Sequence, residues 1–382
     1  MSLKKNAFVK YYLIYVIFAA IIVFFVALGG VLPRSFLSNS LQMAIAILLS
    51  LSLSFVVGFL GELSLGHAGF MCAGAYLGGK VASILAAGAL GNGILTFIIS
   101  VLVGGIVAAV LGVVVGLPAL RLKGDYLAIV TLAFCEIVRV LFLNSPKEAF
   151  GGAFGLETPK YGSSGISLQM MLILALLLVV SAIAVFRNII RSKHGRAVTA
   201  IRDNEIAARA TGVDVTKYKL FAFVVSSFFA GIAGVVYSYT QSRVQSSTFD
   251  YNYSIDILVM VVLGGMGSMN GSIISAAIIT FLNLKLSTVL TGNLAVAKDL
   301  VYALILILIV IFSNAPSLRS FREKYNFRAI IERLRKKEMD PADIKNDAGS
   351  WDRIPTKIEM NEVLSTDFKV QESTMNPDKE AK

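Results

Sequence analysis

Long uninterrupted apolar runs restrict this chain more than any other feature. Residues 11–30, 41–60, 94–117, 168–186 and 298–313 each approach or reach the roughly 20 residues that an α-helix needs to cross a hydrocarbon core. No water is available there for backbone N–H and C=O groups, so such runs have to be helical. The composition agrees: 56% of residues are hydrophobic and 15% are charged, against about a quarter charged in an ordinary soluble domain. The pattern predicts an all-α polytopic membrane protein with about ten transmembrane or broken helices in two pseudo-symmetric halves. They fall near 11–30, 40–60, 67–90, 94–117, 126–143, 168–187, 220–240, 252–265, 270–290 and 298–314. The first run follows Lys4, Lys5 and Lys10 and exceeds the roughly 7–15 apolar residues of a signal peptide, so it is read as a retained first helix.

The net charge of +11 is distributed as topology requires. The loop 187–219 carries Arg187, Arg191, Lys193, Arg196, Arg202, Arg209, Lys217 and Lys219, opposed only by Asp203, Glu205 and Asp214. Basic loops of this kind stay in the cytoplasm. The N-terminal lysines, Arg121 with Lys123, and the stretch Arg319 to Lys337 are assigned to the same side. This topology accounts for the basic balance without nucleic acid as a partner. The Gly/Ser/Pro-rich segment 144–167 then lies outside, as a surface loop or a contact for an external partner. The membrane domain is expected over 1–314. Residues 315–338 interleave Phe321, Phe327, Ile330 and Leu334 with arginines and lysines, as in a helix lying on anionic lipid. Residues 339–382 are polar and poor in large apolar side chains, and are expected to be a disordered cytoplasmic tail.

Two Gly/Ser interruptions, 61–69 and 264–272, break apolar runs at corresponding places in the two halves. Paired interruptions point to broken helices beside a transport pathway, because irregular backbone at membrane depth needs protein or a water-filled cavity around it. The pathway residues they nominate are Glu62, Ser64, Gly66 and His67 in the first, and Gly264, Gly265, Gly267 and Ser268 in the second; close packing alone is the competing explanation. Glu62 is placed either as a helix cap or on the pathway. His67 has no neighbouring ligand residues for a metal and is expected to bond local backbone. Glu136 and Arg139 are spaced to pair on one helix face. Lys80 and Asp256 sit in apolar segments without an assignable role. Cys72 and Cys135 lie in apolar stretches and are read as packing residues.

Enzymatic motifs are incomplete. Gly74 to Lys80 approximates a phosphate-binding loop, but Val81 stands where Ser or Thr is required, and no strand precedes it. Gly265 to Gly271 has the wrong spacing for a dinucleotide fingerprint. No nucleophile–base constellation is present. No catalytic, metal or cofactor site is therefore expected in this chain.

The segment Ser192–Val213 combines small residues with charges of both signs, which suits short helices that dock a partner closely and in register. Asp214 is positioned to cap the next helix. Ala207, Ala208 and Gly212 fit the Glu-Ala-Ala, three residues, Gly motif of the coupling loop in ABC importer permeases; Ile206 occupies the first position, with Glu205 one residue earlier. The wider string from His194-Gly195-Arg196 to Phe229-Ala230-Gly231-Ile232-Ala233-Gly234 resembles the M-type permeases of branched-chain amino acid importers. So do Gly61 to Phe70, Gly116 to Tyr126 and Val261 to Gly271. This resemblance implies a permease subunit for leucine, isoleucine and valine, coupled to ATPases through Gly195, Arg196, Ala200, Arg202, Asp203, Glu205, Ala207, Ala208 and Gly212. It implies a second permease subunit, two cytoplasmic ATPase subunits that bind the ATP and Mg²⁺, and an extracellular solute-binding protein. It also implies an inner (cytoplasmic) membrane location with both termini cytoplasmic. Gly212→Pro and Arg202→Glu are then expected to disrupt ATPase association while sparing the membrane domain. The alternatives are a urea or short-chain amide permease of the same architecture, or a transporter driven by an ion gradient.

Overall fold

The computed structural model describes residues 33–88, 91, 93–119, 125–160, 166–289, 300–304 and 307, all within the first of two units, Met1–Ser313 and Asn314–Lys382. The span expected at 11–30, most of that at 298–314, the inner loop at Arg121 and Lys123, and the segments 315–338 and 339–382 lie outside the described residues. Within them the chain is an all-α polytopic bundle. Seven helices are long and apolar enough to cross a bilayer. These are α1 (Arg34–Ser54, prolonged by a π-helical turn Phe55–Leu60), α2 (His67–Ala87), α3 (Ile94–Ala119), α4 (Asp125–Leu143), α6 (Leu168–Arg191), α9 (Val215–Ser238) and α11 (Met269–Val289). Between them lie a single turn, α5 (Lys147–Phe150), two short helices, α7 (Lys193–Asp203) and α8 (Glu205–Ala210), and the 14-residue α10 (Tyr251–Gly264).

The centre is α2, α3 and α9, and it is built from small residues. A Cβ on Gly74 of α2 would overlap the backbone of Gly231 in α9, and one on Gly231 would overlap Ala108 of α3. Large aliphatic side chains point the other way: Ile98, Leu102, Ile106, Val110 and Val114 form an exposed stripe along α3 at four-residue spacing. This inversion of the soluble-protein pattern suits lipid, where helices gain little by hiding leucine from hydrocarbon and gain more from close backbone contact.

The helix from residue 220 starts earlier than its apolar run. Asp214 accepts a hydrogen bond from the Lys217 N–H at 3.1 Å, so α9 begins at Val215 and takes Lys217 and Lys219 into its first turns. At the far end of α9, residues 144–160 include the helical turn α5 and a short strand. Strand β1 (Leu156–Glu157) pairs antiparallel with β2 (Arg243–Val244). Tyr76 donates to the Val244 carbonyl at 3.0 Å, and Thr158 to that of Ser238 at 2.9 Å. The bundle thus has a small β-ribbon at one end and the charged α7–α8 connector at the other.

Candidate functional site

Three side-chain caps shape the connector. The Ser192 hydroxyl accepts from the N–H groups of His194 and Gly195 and starts α7. Asn204, in extended backbone, accepts from Ala207 N at 3.0 Å and starts α8. Gly212, at φ +85°, turns the chain to the Asp214 cap of α9. Each cap of this kind contributes about 1 kcal/mol, so the connector is a defined hairpin rather than a loose loop. Val198, Ile201 and Ala208 face inward to the core. Arg196, Ala200, Asp203, Ala207 and Gly212 face outward, and Ile206 is 80% exposed among them. Gly195 is buried where α7 meets the end of α6; a Cβ there would overlap Ile189 and Ile190.

Both helix interruptions are real, and they meet. In the first, the π-helical turn ends at Gly61 (φ +81°) and an irregular stretch leads to Gly66 before α2. In the second, α10 ends at Gly264, Gly265 and Gly267 adopt φ +90° and +83°, and Ser268 accepts from Gly271 N at 3.2 Å as α11 begins. A Cβ on Gly58 would lie 2.6 Å from the Gly267 nitrogen. Alongside, Ser50 donates to the Ser272 carbonyl and Ser272 to the Ser54 hydroxyl, both at 3.1 Å.

The connector grips this junction twice. Arg202 of α7 donates from Nη1 to the Gly58 carbonyl at 3.0 Å while Nε and Nη2 hold Asp203. Its stem covers Gly61, where a Cβ would sit 2.6 Å from Arg202 Cγ. Arg202 is therefore part of the membrane junction as well as of the connector, and Arg202→Glu would not spare the membrane domain. The second grip is Lys219, buried in α9, which pairs with Glu62 and also reaches Glu205 Oε2 at 3.2 Å. Glu205 Oε1 in turn accepts from Arg209 at 3.0 Å. Two carboxylates and two cations make this cluster formally neutral, which is the condition for holding charge in a low-dielectric site. Glu62 thus pairs with the buried Lys219 at the first helix break. Glu205 turns inward, leaving Ile206 as the outward residue of α8.

His67 also departs from expectation. It does not bond local backbone: Nε2 lies 2.8 Å from the Ser226 hydroxyl of α9, and Ser226 donates to the Ser52 carbonyl of α1. The hydroxyl has one hydrogen, so Nε2–H is the donor to it, and the three helices are tied together. Its Nδ1 and the Ser64 hydroxyl are buried without a hydrogen-bond partner among the described residues. No group of His, Cys, Asp and Glu among those residues is arranged to hold a metal. Arg139 and Glu136 pair at 2.7 Å, as their spacing indicated. Cys72 and Cys135 are buried free thiols. Lys219, Ser226 and Gly58 were not singled out by the sequence. Lys219 had counted as a loop charge, although its place five residues after the Asp214 cap puts it inside the helix.

A separate cavity of about 330 Å³ opens between α1, α9, α10 and α11 on the ribbon side of the junction. Asp256 lies in its wall, with Tyr302 Oη 3.5 Å from Oδ1.

Residues 35–312 match the family model for the permease component of branched-chain amino acid transport systems. The chain is 36% identical over 288 residues to the high-affinity branched-chain amino acid transport system permease protein LivM of Salmonella typhimurium, and equally to that of Escherichia coli. Each alignment covers 68% of this chain and 65% of the relative's length. The ribose import permease protein RbsC of Haemophilus influenzae is 36% identical over 115 residues, 28% of this chain and 35% of that protein. No solved structure matches the chain.

Proposed function

The chain belongs to the branched-chain amino acid transport system permease family, and on that premise we propose that it is a membrane-spanning subunit of an ATP-driven importer for leucine, isoleucine and valine. The observation that carries the mechanism is the double grip of the connector on the converged helix breaks, through Arg202 to Gly58 and through Lys219 to Glu62 and Glu205. In this reading a cytoplasmic ATPase seats on the outward face of α7 and α8, where Ile206 supplies an apolar anchor among charges. Closure of two such ATPases displaces the connector. Arg202 and Lys219 pass that displacement to the ends of α1 and α10 and the starts of α2 and α11. The pathway forms beside a second permease subunit, and an external solute-binding protein delivers the amino acid at the ribbon end. The chain lies in the cytoplasmic membrane with the connector and both termini inside; ATP and Mg²⁺ belong to the ATPases.

Gentle purification from membranes, followed by leucine uptake into proteoliposomes with internal ATP and the binding protein outside, tests the whole. Co-purified ATPases and ATP-dependent leucine uptake are the expected results. Co-purification with uptake of urea or an amide instead of leucine would correct the cargo. Uptake that follows an ion gradient and ignores ATP would overturn the coupling.

A further inference from the structure

The ribbon end of the bundle holds a pocket with a surplus of positive charge. It encloses about 370 Å³ between the last two turns of α2, the α5 turn, the turn Gly152–Phe154 and the strands β1 and β2. Lys80, Lys147 and Arg243 line it, against the one carboxylate among the described lining residues, Glu157. Arg243 pairs with that carboxylate. Lys80 donates to the Glu148 backbone carbonyl at 3.2 Å, and the Lys147 ammonium stands 5.0 Å from the centre of the Phe154 ring. A carbonyl dipole and a ring face do not cancel a charge, so the lining keeps a formal +2.

The walls are set before any partner arrives. A Cβ on Gly151 would lie 2.0 Å from the Gly155 carbonyl oxygen, and one on Gly155 would lie 2.6 Å from that of Val244. The turn is therefore packed backbone against backbone. Ser83 donates to the Glu157 carbonyl at 2.9 Å and ties the ribbon to α2. A preformed cationic hollow avoids much of the ordering that association otherwise costs. Phe154, 63% exposed, adds an aromatic face beside Arg243, and protein interfaces are enriched in aromatic residues and arginine.

Position narrows the occupant. Turns and a two-stranded ribbon with exposed side chains are not found facing hydrocarbon, so the pocket opens to the aqueous side. It lies at the opposite end of the bundle from the connector, whereas anionic lipid attracts basic residues at the cytoplasmic surface. An amino acid zwitterion carries no net charge to offset the surplus; a carboxylate on a protein surface does.

We propose that this pocket is a socket for an acidic side chain of the external solute-binding protein, its carboxylate taken up by Lys80 and Lys147 with Arg243 and Phe154 in the surrounding contact. The assignment rests on the importer reading above and adds the residues and the charge that recognise the partner. Charges of this kind act mainly on the rate of encounter and its salt dependence.

The test uses the complete importer in nanodiscs of zwitterionic phospholipid, titrated with leucine-loaded binding protein and read both by direct binding and by stimulated ATP hydrolysis. Lys80→Gln/Lys147→Gln should raise the half-saturating concentration of binding protein by about tenfold at low salt and flatten the dependence of association on ionic strength. Lys147→Arg, which keeps the charge, should bind as wild type. Lys285, near the end of α11 and outside the pocket lining, is the control, and Lys285→Gln should also bind as wild type. Wild-type affinity and salt dependence in the double variant would overturn the socket. So would an equal loss in Lys285→Gln, which would make the effect one of overall charge, or a loss that appears only after anionic phospholipid is added to the discs, which would give the pocket to lipid. A wild-type complex whose ATP hydrolysis the binding protein does not stimulate would overturn the importer reading, and the socket with it.

Discussion

Lys219 shows how much of this protein's chemistry depends on one side chain's partners. Its ammonium is buried between Glu62 and Glu205, which come from the first helix break and the connector. Lys219→Met would leave Glu62 without its cation, with Arg209 still on Glu205, at a cost of up to about 3–5 kcal/mol for an uncompensated buried charge. The purified protein should melt several degrees lower, and adding Glu62→Gln should recover part of the loss, because contacting residues do not contribute additively. Additive losses in that cycle would show that the pair does not act as a unit. The sequence marked Glu62 and His67 as unusual, since polar residues beside glycines inside an apolar chain are conspicuous. It did not show their roles, because their partners, Lys219 and Ser226, lie more than 150 residues away.

The connector, as an element, was the most legible feature. Small residues interspersed with charges and the Asp214 cap read directly as short helices, whereas the Ser192 and Asn204 caps came from the structure. Which face turns inward was not readable, because α8 is too short for a period and Glu205 and Ile206 are neighbours. The structure points Glu205 in and Ile206 out. Ile206→Glu should therefore reduce ATPase co-purification by about tenfold, the scale of an interface hot spot worth 1–2 kcal/mol, with no change in melting temperature. Undiminished co-purification would remove Ile206 from the docking face. Gly212→Pro acts differently. Its φ of +85° is closed to proline, and its N–H donates to the Arg209 carbonyl at 3.0 Å. That variant should lose both the turn and the partner, read as lower protease resistance at residues 204–214 together with loss of ATPase. Unchanged protease resistance would show that the turn tolerates it.

At the scale of the whole molecule, the spans were legible because the bilayer sets helix length, and the meeting of the two breaks was not, because nothing local encodes a contact 200 residues apart. The cavity beside Asp256 escaped for the same reason: its walls come from four helices. The contact between the halves carries the last prediction. Ser54 and Ser272 hydroxyls are 3.1 Å apart, so cysteines at both positions bring their sulfur atoms close enough to test for a disulfide. The native thiols, Cys72 and Cys135, are buried and do not compete. If transport requires the junction to open, oxidation of Ser54→Cys/Ser272→Cys should stop leucine uptake while the ATPases remain bound, and reduction should restore it. Each single variant under the same oxidant controls for damage elsewhere. Full uptake by a quantitatively crosslinked protein would mean that α1 and α11 stay together throughout the cycle. The movement passed on by Arg202 and Lys219 would then have to carry both breaks as one body against the second permease.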